Sequence, residues 1–260
     1  MAATSIDARA HANLVEFVRF SGRLDGDADV LDEPGIFAIR GATDFPTARM
    51  AIPQGDPLAP AAFADRASDF LLRQGNTACV YVRTDDRALH DELTGRGFAE
   101  FSTSPEMVCE VRLEERAPPT GVVVRLAATA ADVRAYAEIA GHAFRHLYLP
   151  EAITREAIDH PDVMLDSRVV IALADLDGRP VAGACSILVG PEPNGYVGWV
   201  ACLDDARGKG LGDVVTRRVT NEAFDRGAAI VTLEASHFGE HTYARMGYRE
   251  LYRYAVLIKL

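Results

Sequence analysis

Residues 198–212 read GWVACLDDARGKGLG and carry the strongest structural signal in this 260-residue sequence. The stretch opens with small and apolar residues typical of a strand, and apolar residues at helical spacing begin at Leu211. Between them, the glycines at 208, 210 and 212 permit positive φ and a close approach of the backbone to a ligand. The helix that follows adds unpaired N–H groups and the positive end of its dipole. The stretch therefore predicts a strand, an anion-binding loop suited to a pyrophosphate, and a helix.

Two common phosphate-binding motifs are absent from this loop. It has no Walker A pattern, and its G-x-G-x-G spacing departs from the G-x-G-x-x-G fingerprint of dinucleotide-binding folds. A glycine-rich tight turn without a ligand is the alternative when the loop is taken alone. The surrounding sequence has to distinguish the two.

The segments on either side of the loop predict a mixed sheet with helices on both faces. Asp177-Gly178 is a hairpin signal, and Pro191 to Gly195 predicts a turn. Thr129 with Asp132 approximates a capping box. The predicted elements are strand Val122–Leu126, a helix from Thr129, helix Glu151–Asp159, strands Val169–Ala174, Val181–Val189 and Tyr196–Cys202, helix Gly210–Arg226, strand Ala229–Glu234, a short helix ending near Gly247, and one or two strands in Leu251–Leu260.

The N-terminal half reads as a degenerate copy of this pattern. Residues 77–101 and residues 230–251 both predict a strand, a helix and then a glycine followed by an aromatic residue. The segments Asn13–Leu24, Gly35–Arg40, Ala48–Ile52 and Ala61–Arg73 predict a helix, two strands and a helix. An unrelated helix-strand domain is the alternative. Pro118-Pro119 interrupts any helix or central strand, so we predict two domains, residues 1–116 and 121–260.

Residues 198–212 resemble the acetyl-CoA-binding segment of the GNAT superfamily of N-acetyltransferases. In that family a strand leads into an R/Q-x-x-G-x-G/A loop, and Arg207, Gly210 and Gly212 occupy those places. Residues 235–248, ASHFGEHTYARMGY, resemble the family's second cofactor motif. The resemblance extends over roughly 122–260. It implies an α/β (α+β mixed) fold of two GNAT-like domains, each a mixed, mostly antiparallel twisted sheet flanked by helices.

The resemblance also implies how acetyl-CoA would bind. Backbone groups of the strand before the loop would pair with the pantetheine arm, and the loop N–H groups would hold the pyrophosphate. The family often has an asparagine seven residues before its tyrosine, where this chain has Ser236. The implied cofactor-binding residues are Val200, Ala201, Cys202, Arg207, Gly208, Lys209, Gly210, Leu211, Gly212 and Ser236. No metal is expected.

The family's tyrosine maps onto Tyr243, four residues before Gly247. A phenol there can donate a proton to the leaving CoA thiolate, although a core aromatic residue is the plain alternative. A general base must accept a proton from the amine; Glu234 is the first candidate and His237 the second. The residues that could line the acceptor side are His142, His146 and His160.

The N-terminal half lacks the corresponding chemistry. Its segment Pro53–Pro57 has no glycine-rich phosphate loop, and Leu93 occupies the position of the tyrosine. We therefore expect this half to be non-catalytic, as a packing surface or one wall of the acceptor site.

Composition limits the partners and the compartment. A net charge of −11 argues against nucleic acid as a partner, and no apolar run approaches membrane-spanning length. The four cysteines lie in apolar, strand-like runs without metal-site spacing, which predicts free buried thiols in a reducing compartment. Cys202 lacks an evident partner that would make it a nucleophile. We expect a cytoplasmic monomer or homodimer.

The sequence thus predicts an N-acetyltransferase (EC 2.3.1.-) that moves an acetyl group from acetyl-CoA to a primary amine by direct transfer in a ternary complex. A non-catalytic acyl-CoA-binding sensor or interaction protein is the alternative. A nucleotide-dependent enzyme is disfavoured, because the Walker lysine and a ribose-binding acid are absent. The acceptor amine and the acyl-chain length are not encoded in a readable pattern.

Overall fold

A computed structural model describes residues 5–190 and 193–260 of the chain. By contacts the chain divides into two compact units. The N-terminal unit comprises the residues up to Met107 together with Ala235–His237 and Glu250–Leu260. The second unit comprises Val108–Glu234 and Phe238–Arg249. The last residues of the chain therefore group with its beginning.

Helices and strands occur along the whole described chain. In chain order they are α1 (Ile6–Leu24), β1 (Asp29–Glu33), β2 (Gly35–Arg40), β3 (Arg49–Gln54), α2 (Pro60–Leu71), β4 (Ala78–Arg83), α3 (Arg87–Gly95), β5 (Ala99–Cys109), β6 (Val122–Leu126), α4 (Ala130–Ala143), α5 (Glu151–Ile158), α6 (Pro161–Met164), β7 (Val169–Leu176), β8 (Arg179–Val189), β9 (Asn194–Cys202), α7 (Leu211–Asp225), β10 (Val231–Glu234), α8 (Glu240–Met246) and β11 (Arg249–Lys259). Short 3-10 turns cover Pro46–Ala48, Phe144–Leu147 and Asp204–Ala206.

The N-terminal unit is a mixed sheet with strand order β1-β2-β3-β4-β11-β5. β1, β2 and β3 pair antiparallel, β3 and β4 pair parallel, and β11 pairs antiparallel with β4. The apolar stripe of α2 packs on this sheet. The core of the unit includes Ile36, Phe63, Leu71, Val80, Leu93 and Leu257, each at most 2% exposed.

The second unit repeats this succession of pairings. β6, β7, β8 and β9 pair antiparallel in order, and β9 pairs parallel with β10. The β7–β8 hairpin turns at Asp177 and Gly178, both with positive φ as a tight primed turn requires. α4 begins with a complete capping box between Thr129 and Asp132. Both α4 and α7 pack on β8 and β9.

The predicted fold class, mixed α/β with mostly antiparallel sheets flanked by helices, is confirmed. β1 was not predicted, because its sequence DVLDE is largely charged and exposed rather than alternating. α1 begins seven residues before its predicted start, where the Ser5 hydroxyl accepts a hydrogen bond from the Ala8 N–H. The C-terminal stretch forms one strand, β11. Of the predicted turn at 191–195, residues 191 and 192 lie outside the described residues.

In the described ranges, no helix combines the length and the apolar character that crossing a membrane requires.

Candidate functional site

The strand before the glycine loop, β9, contains a β-bulge. Cys185 of β8 lies opposite Gly198, and Gly183 lies opposite Ala201, so two residues of β9 face one residue of β8. One of the two, Trp199, has a φ of 49°, which is uncommon for a residue with a side chain. The Tyr136 hydroxyl of α4 donates a hydrogen bond to the Trp199 carbonyl at 2.7 Å. The bulge, formed by Trp199 and Val200, therefore bends the strand just before Ala201.

β9 and β10 pair only at their N-terminal ends. Gly195 lies opposite Val231 and Tyr196 opposite Thr232, and within the described residues the ladder goes no further. β9 continues to Cys202 beyond the ladder. The backbone edge of Val200, Ala201 and Cys202 lies in this open stretch, which is the edge that an extended ligand arm would pair with.

The loop after β9 forms an open cradle at the N-terminus of α7. Gly208 and Gly210 have φ values of 74° and 76°, and Gly210 is the N-cap residue. A Cβ atom at either glycine would meet no atom within 4 Å, so the space in front of the loop is open. Leu211, buried, starts the helix, and Gly212 follows in its first turn. Open space, a glycine backbone and a 15-residue helix N-terminus fit a diphosphate group.

The cationic side chains of the loop are held by neighbouring oxygens. The Arg207 guanidinium lies 3.2 Å from the Asp204 carboxylate, and its Nη2 donates to the Ala143 carbonyl at 3.4 Å. The Lys209 ammonium donates to the Asp205 carbonyl at 3.1 Å. These contacts hold the positive charges of Arg207 and Lys209 beside the glycine loop.

The first turn of α7 contains an acidic residue, Asp213, whose charge is paired. Its carboxylate accepts a hydrogen bond from Arg217 Nε at 2.8 Å, one turn further along the helix. The Arg217 side chain is only 6% exposed and also donates to the Glu114 carbonyl at 2.9 Å. The ion pair offsets a negative charge that would otherwise weaken anion binding at this helix end.

Tyr243 lies on α8 with its ring against Gly239. A Cβ atom at Gly239 would come within 2.5 Å of the Tyr243 ring, so only glycine leaves room for it. Burial raises the pKa of the Tyr243 phenol well above its usual range. Across residues 5–190 and 193–260, its hydroxyl has no hydrogen-bond partner. The phenol is therefore protonated at neutral pH and has a proton to donate.

The two base candidates lie at and after the end of β10. Glu234 is the last residue of β10 and is partly buried. Ser236 is partly buried and His237 is exposed; both lie in Ala235–His237, the short segment that groups with the N-terminal unit. The catalytic role of Glu234 or His237 and the cofactor contact of Ser236 stay predictions.

Two of the three histidines predicted for the acceptor side contact the same carboxylate, that of Asp204. His142 Nε2 lies 3.3 Å and His146 Nε2 2.9 Å from the Asp204 carboxyl oxygens. The hydrogen bond from His146 lowers the pKa of Asp204. His160 instead occupies the N-cap position of α6, without a capping hydrogen bond from its side chain. His142 also borders an open groove of about 360 Å³, whose other lining residues are Ala135, Glu138, Ile139, Glu151, Pro180 and Leu203.

Burial disfavours the thiolate form of two cysteines of the second unit, Cys185 and Cys202. Burial raises the pKa of Cys185 to about 12 and raises that of Cys202 as well. A thiol held in its neutral form is a poor nucleophile. Among the described residues, no group of three or more His, Cys, Asp and Glu side chains is arranged to hold a metal ion.

The corresponding place in the N-terminal unit is occupied by the protein's own side chains. β3 and β4 pair only at Met50–Cys79 and Ala51–Val80, as β9 and β10 pair only at their first residues. Past that ladder, His11 Nε2 bonds the Pro53 carbonyl at 2.8 Å and its Nδ1 bonds the Tyr254 hydroxyl at 2.6 Å. Leu93, predicted at the tyrosine position, is fully buried.

Sequence reasoning missed two residues of this site. Tyr136 lies within the helix predicted from Thr129, but its hydroxyl contact with a backbone carbonyl 63 residues away has no local signal. Asp204 was part of the quoted strand-loop stretch, but its contacts with His142 and His146 depend on the packing of α4.

Comparison with known proteins identifies a domain in the second half of the chain. Residues 133–248 match the Acetyltransferase (GNAT) family. No curated protein matches the sequence.

Solved structures share the fold over nearly the whole chain. The GCN5-related N-acetyltransferase from Kribbella flavida is 21% identical, with a TM-score of 0.72 over 99% of this chain and 96% of that one. The GCN5-related N-acetyltransferase from Sphaerobacter thermophilus is 15% identical, with a TM-score of 0.66 over 97% and 93%. At these identities the likeness establishes the fold.

Proposed function

We propose that this protein transfers an acetyl group from acetyl-CoA to a primary amine, because residues 133–248 match the Acetyltransferase (GNAT) family. Acyl transfer is the general chemistry of that family. The observation that carries the finer proposal is the open strand edge of β9 leading directly into a glycine cradle at the N-terminus of α7. These two features suit the pantetheine and pyrophosphate groups of one extended substrate.

Each part of the site has one task in this proposal. The backbone N–H groups from Gly208 to Gly212 bind the pyrophosphate, with Arg207 and Lys209 beside them. The backbone of Val200, Ala201 and Cys202 binds the pantetheine arm along its open edge. Acetyl-CoA supplies an activated thioester carbon, and the acceptor nitrogen attacks it directly in a ternary complex.

Proton transfers accompany the attack. The amine loses a proton, for which we propose Glu234, and alternatively His237, as the acceptor. The C–S bond breaks as the C–N bond forms, and Tyr243 protonates the departing thiolate. A partly buried phenol that is protonated at neutral pH and has no hydrogen-bond partner within the described residues supports this role.

A non-catalytic acyl-CoA sensor is the second candidate. The feature that favours it is the N-terminal unit, in which His11 occupies the place after the β3–β4 ladder and no phosphate loop is present. An N-terminal unit without a phosphate loop suits a protein that reports acyl-CoA binding to a partner. Absence of CoA release with a broad set of amines, despite tight binding, would favour the sensor.

The test is a calorimetric titration of the whole chain with acetyl-CoA, with ATP and NAD as controls. We expect micromolar affinity for acetyl-CoA at one site per chain and no binding of either control. Two sites per chain would contradict a silent N-terminal unit. No acetyl-CoA binding, or equal binding of ATP, would refute the proposal. A monomer or homodimer acting in the cytoplasm remains part of the proposal.

A further inference from the structure

The β9 bulge holds a residue in an unfavourable conformation. Trp199 has a positive φ of 49°, although it is not a glycine. Such a conformation persists only where the surrounding structure determines it, and it is found at functional sites. The bulge consists of Trp199 and Val200, and it begins the stretch from Val200 to Cys202 that is proposed to bind the pantetheine arm. The contacts that hold the bulge therefore bear on catalysis.

The contact that holds the bulge comes from α4. Tyr136 is completely buried, and its hydroxyl donates to the Trp199 carbonyl at 2.7 Å. Burial raises the pKa of this phenol well above its usual range, so it remains a donor at every physiological pH. The neighbouring carbonyl of Gly198 accepts a weaker bond from the Cys185 thiol at 3.5 Å. The carbonyls of Gly198 and Trp199 thus both accept hydrogen bonds from side chains.

β8 is shaped to admit the tyrosine ring. Gly183 lies opposite Ala201, at one end of the bulge. A Cβ atom at Gly183 would come within 2.7 Å of the Tyr136 ring and 3.2 Å of Leu173. Glycine at this position leaves the volume that the ring fills. Tyr136 of α4 therefore packs against β8 and hydrogen-bonds the β9 bulge at the same time.

We propose that Tyr136 is a positioning residue of the active site, which fixes the bulge through the Trp199 carbonyl and so aligns the β9 edge with the thioester. The inference rests on the proposed acetyl transfer. Tyr136 need not touch either substrate. Its hydroxyl fixes the direction of the backbone on which the acyl group lies. A small displacement of reacting groups lowers turnover far more than it lowers binding.

The test compares two tyrosines whose hydroxyls are equally buried. Tyr136→Phe removes the bond to the Trp199 carbonyl, and Tyr254→Phe removes a comparable 2.6 Å bond to His11 in the N-terminal unit. We expect both variants to unfold at lower temperature. Only Tyr136→Phe should lower kcat, by at least about 10-fold, with the Kd for CoA unchanged within about threefold. An unchanged kcat, or an equal loss in both variants, overturns the inference.

Trp199 supplies a second readout that does not need activity, because it is the only tryptophan of the chain. Tyr136→Phe should shift its fluorescence emission, and Tyr254→Phe should not. If Tyr136→Phe does not fold, Gly183→Ala replaces it, since the added methyl displaces the ring while the hydroxyl is kept. Unaltered emission in the folded variant overturns the inference. A wild-type chain without acetyl-CoA-dependent turnover refutes the proposed function itself, which distinguishes the two failures.

Discussion

Gly210→Glu provides the sharpest test of the anion cradle. Gly210 has a φ of 76°, and a Cβ there points into open space. The backbone strain of any side chain at this φ costs about 1 kcal/mol of stability, which leaves a folded protein. The new carboxylate, by contrast, lies where the pyrophosphate is proposed to bind. Affinity for acetyl-CoA should therefore fall much more than stability.

The size of the effect follows from Coulomb's law. A carboxylate ~6 Å from a diphosphate of charge about −2, at an effective dielectric constant of ~40, is repelled by about 3 kcal/mol. That repulsion corresponds to roughly a 100-fold increase in Kd. Steric filling of the cradle adds to it.

Two controls separate charge from strain. Gly210→Ala carries the same backbone strain without the charge, so its Kd should stay within about fivefold of the wild type. Gly178→Glu adds the same residue at a φ of 81° and in equally open space, but in the β7–β8 hairpin. Calorimetric Kd values and thermal midpoints are measured for all three. A Gly210→Glu variant that binds acetyl-CoA as tightly as Gly178→Glu would show that the phosphate site lies elsewhere.

Three further predictions concern single side chains. Tyr243→Phe should lower kcat about 100-fold with acetyl-CoA affinity within about twofold; full turnover at saturating substrate over a range of pH would remove its role as acid. Asp213→Ala leaves the buried Arg217 cation unpaired and should lower the urea-derived unfolding free energy by about 3 kcal/mol; a loss below about 1 kcal/mol would contradict that view. Burial lowers the pKa of His11, so the stability that it contributes is present above about pH 6.5 and is lost as pH falls below that value. In His11→Gln, the urea unfolding midpoint should therefore depend less on pH between about pH 7 and 5 than in the wild type. An unaltered pH dependence of the midpoint would exclude His11 as the cause of this loss of stability.

Elements with a periodic pattern or a specific turn were predictable from the sequence. The Thr129 capping box, the Asp177-Gly178 hairpin and the glycine loop each rest on a few adjacent residues, and local chemistry determines them. Strand β1 was missed because its exposed, charged sequence has no alternation to detect.

Contacts between residues far apart in the chain could not be predicted from the sequence. Tyr136 and Trp199 are 63 residues apart, and Asp204 meets His146 across 58 residues. Nothing local marks a core tyrosine as a donor to a backbone carbonyl, since the same residue satisfies an apolar stripe equally well. The pairing of Asp213 with Arg217 lies within one helix turn and could have been found from its i, i+4 spacing.

The position of β11 has a consequence for how the chain is made. β11 pairs with β4, and Leu257 lies in the core of the N-terminal unit. A ribosome that has finished residues 1–116 has therefore not yet supplied the strand that this unit needs. Until β11 emerges, one edge of β4 is open, and a nascent chain must be protected from pairing with another copy. An N-terminal fragment that ends at Pro118-Pro119 would also lack β11. The two halves of this protein should therefore be produced, and evolve, as one chain.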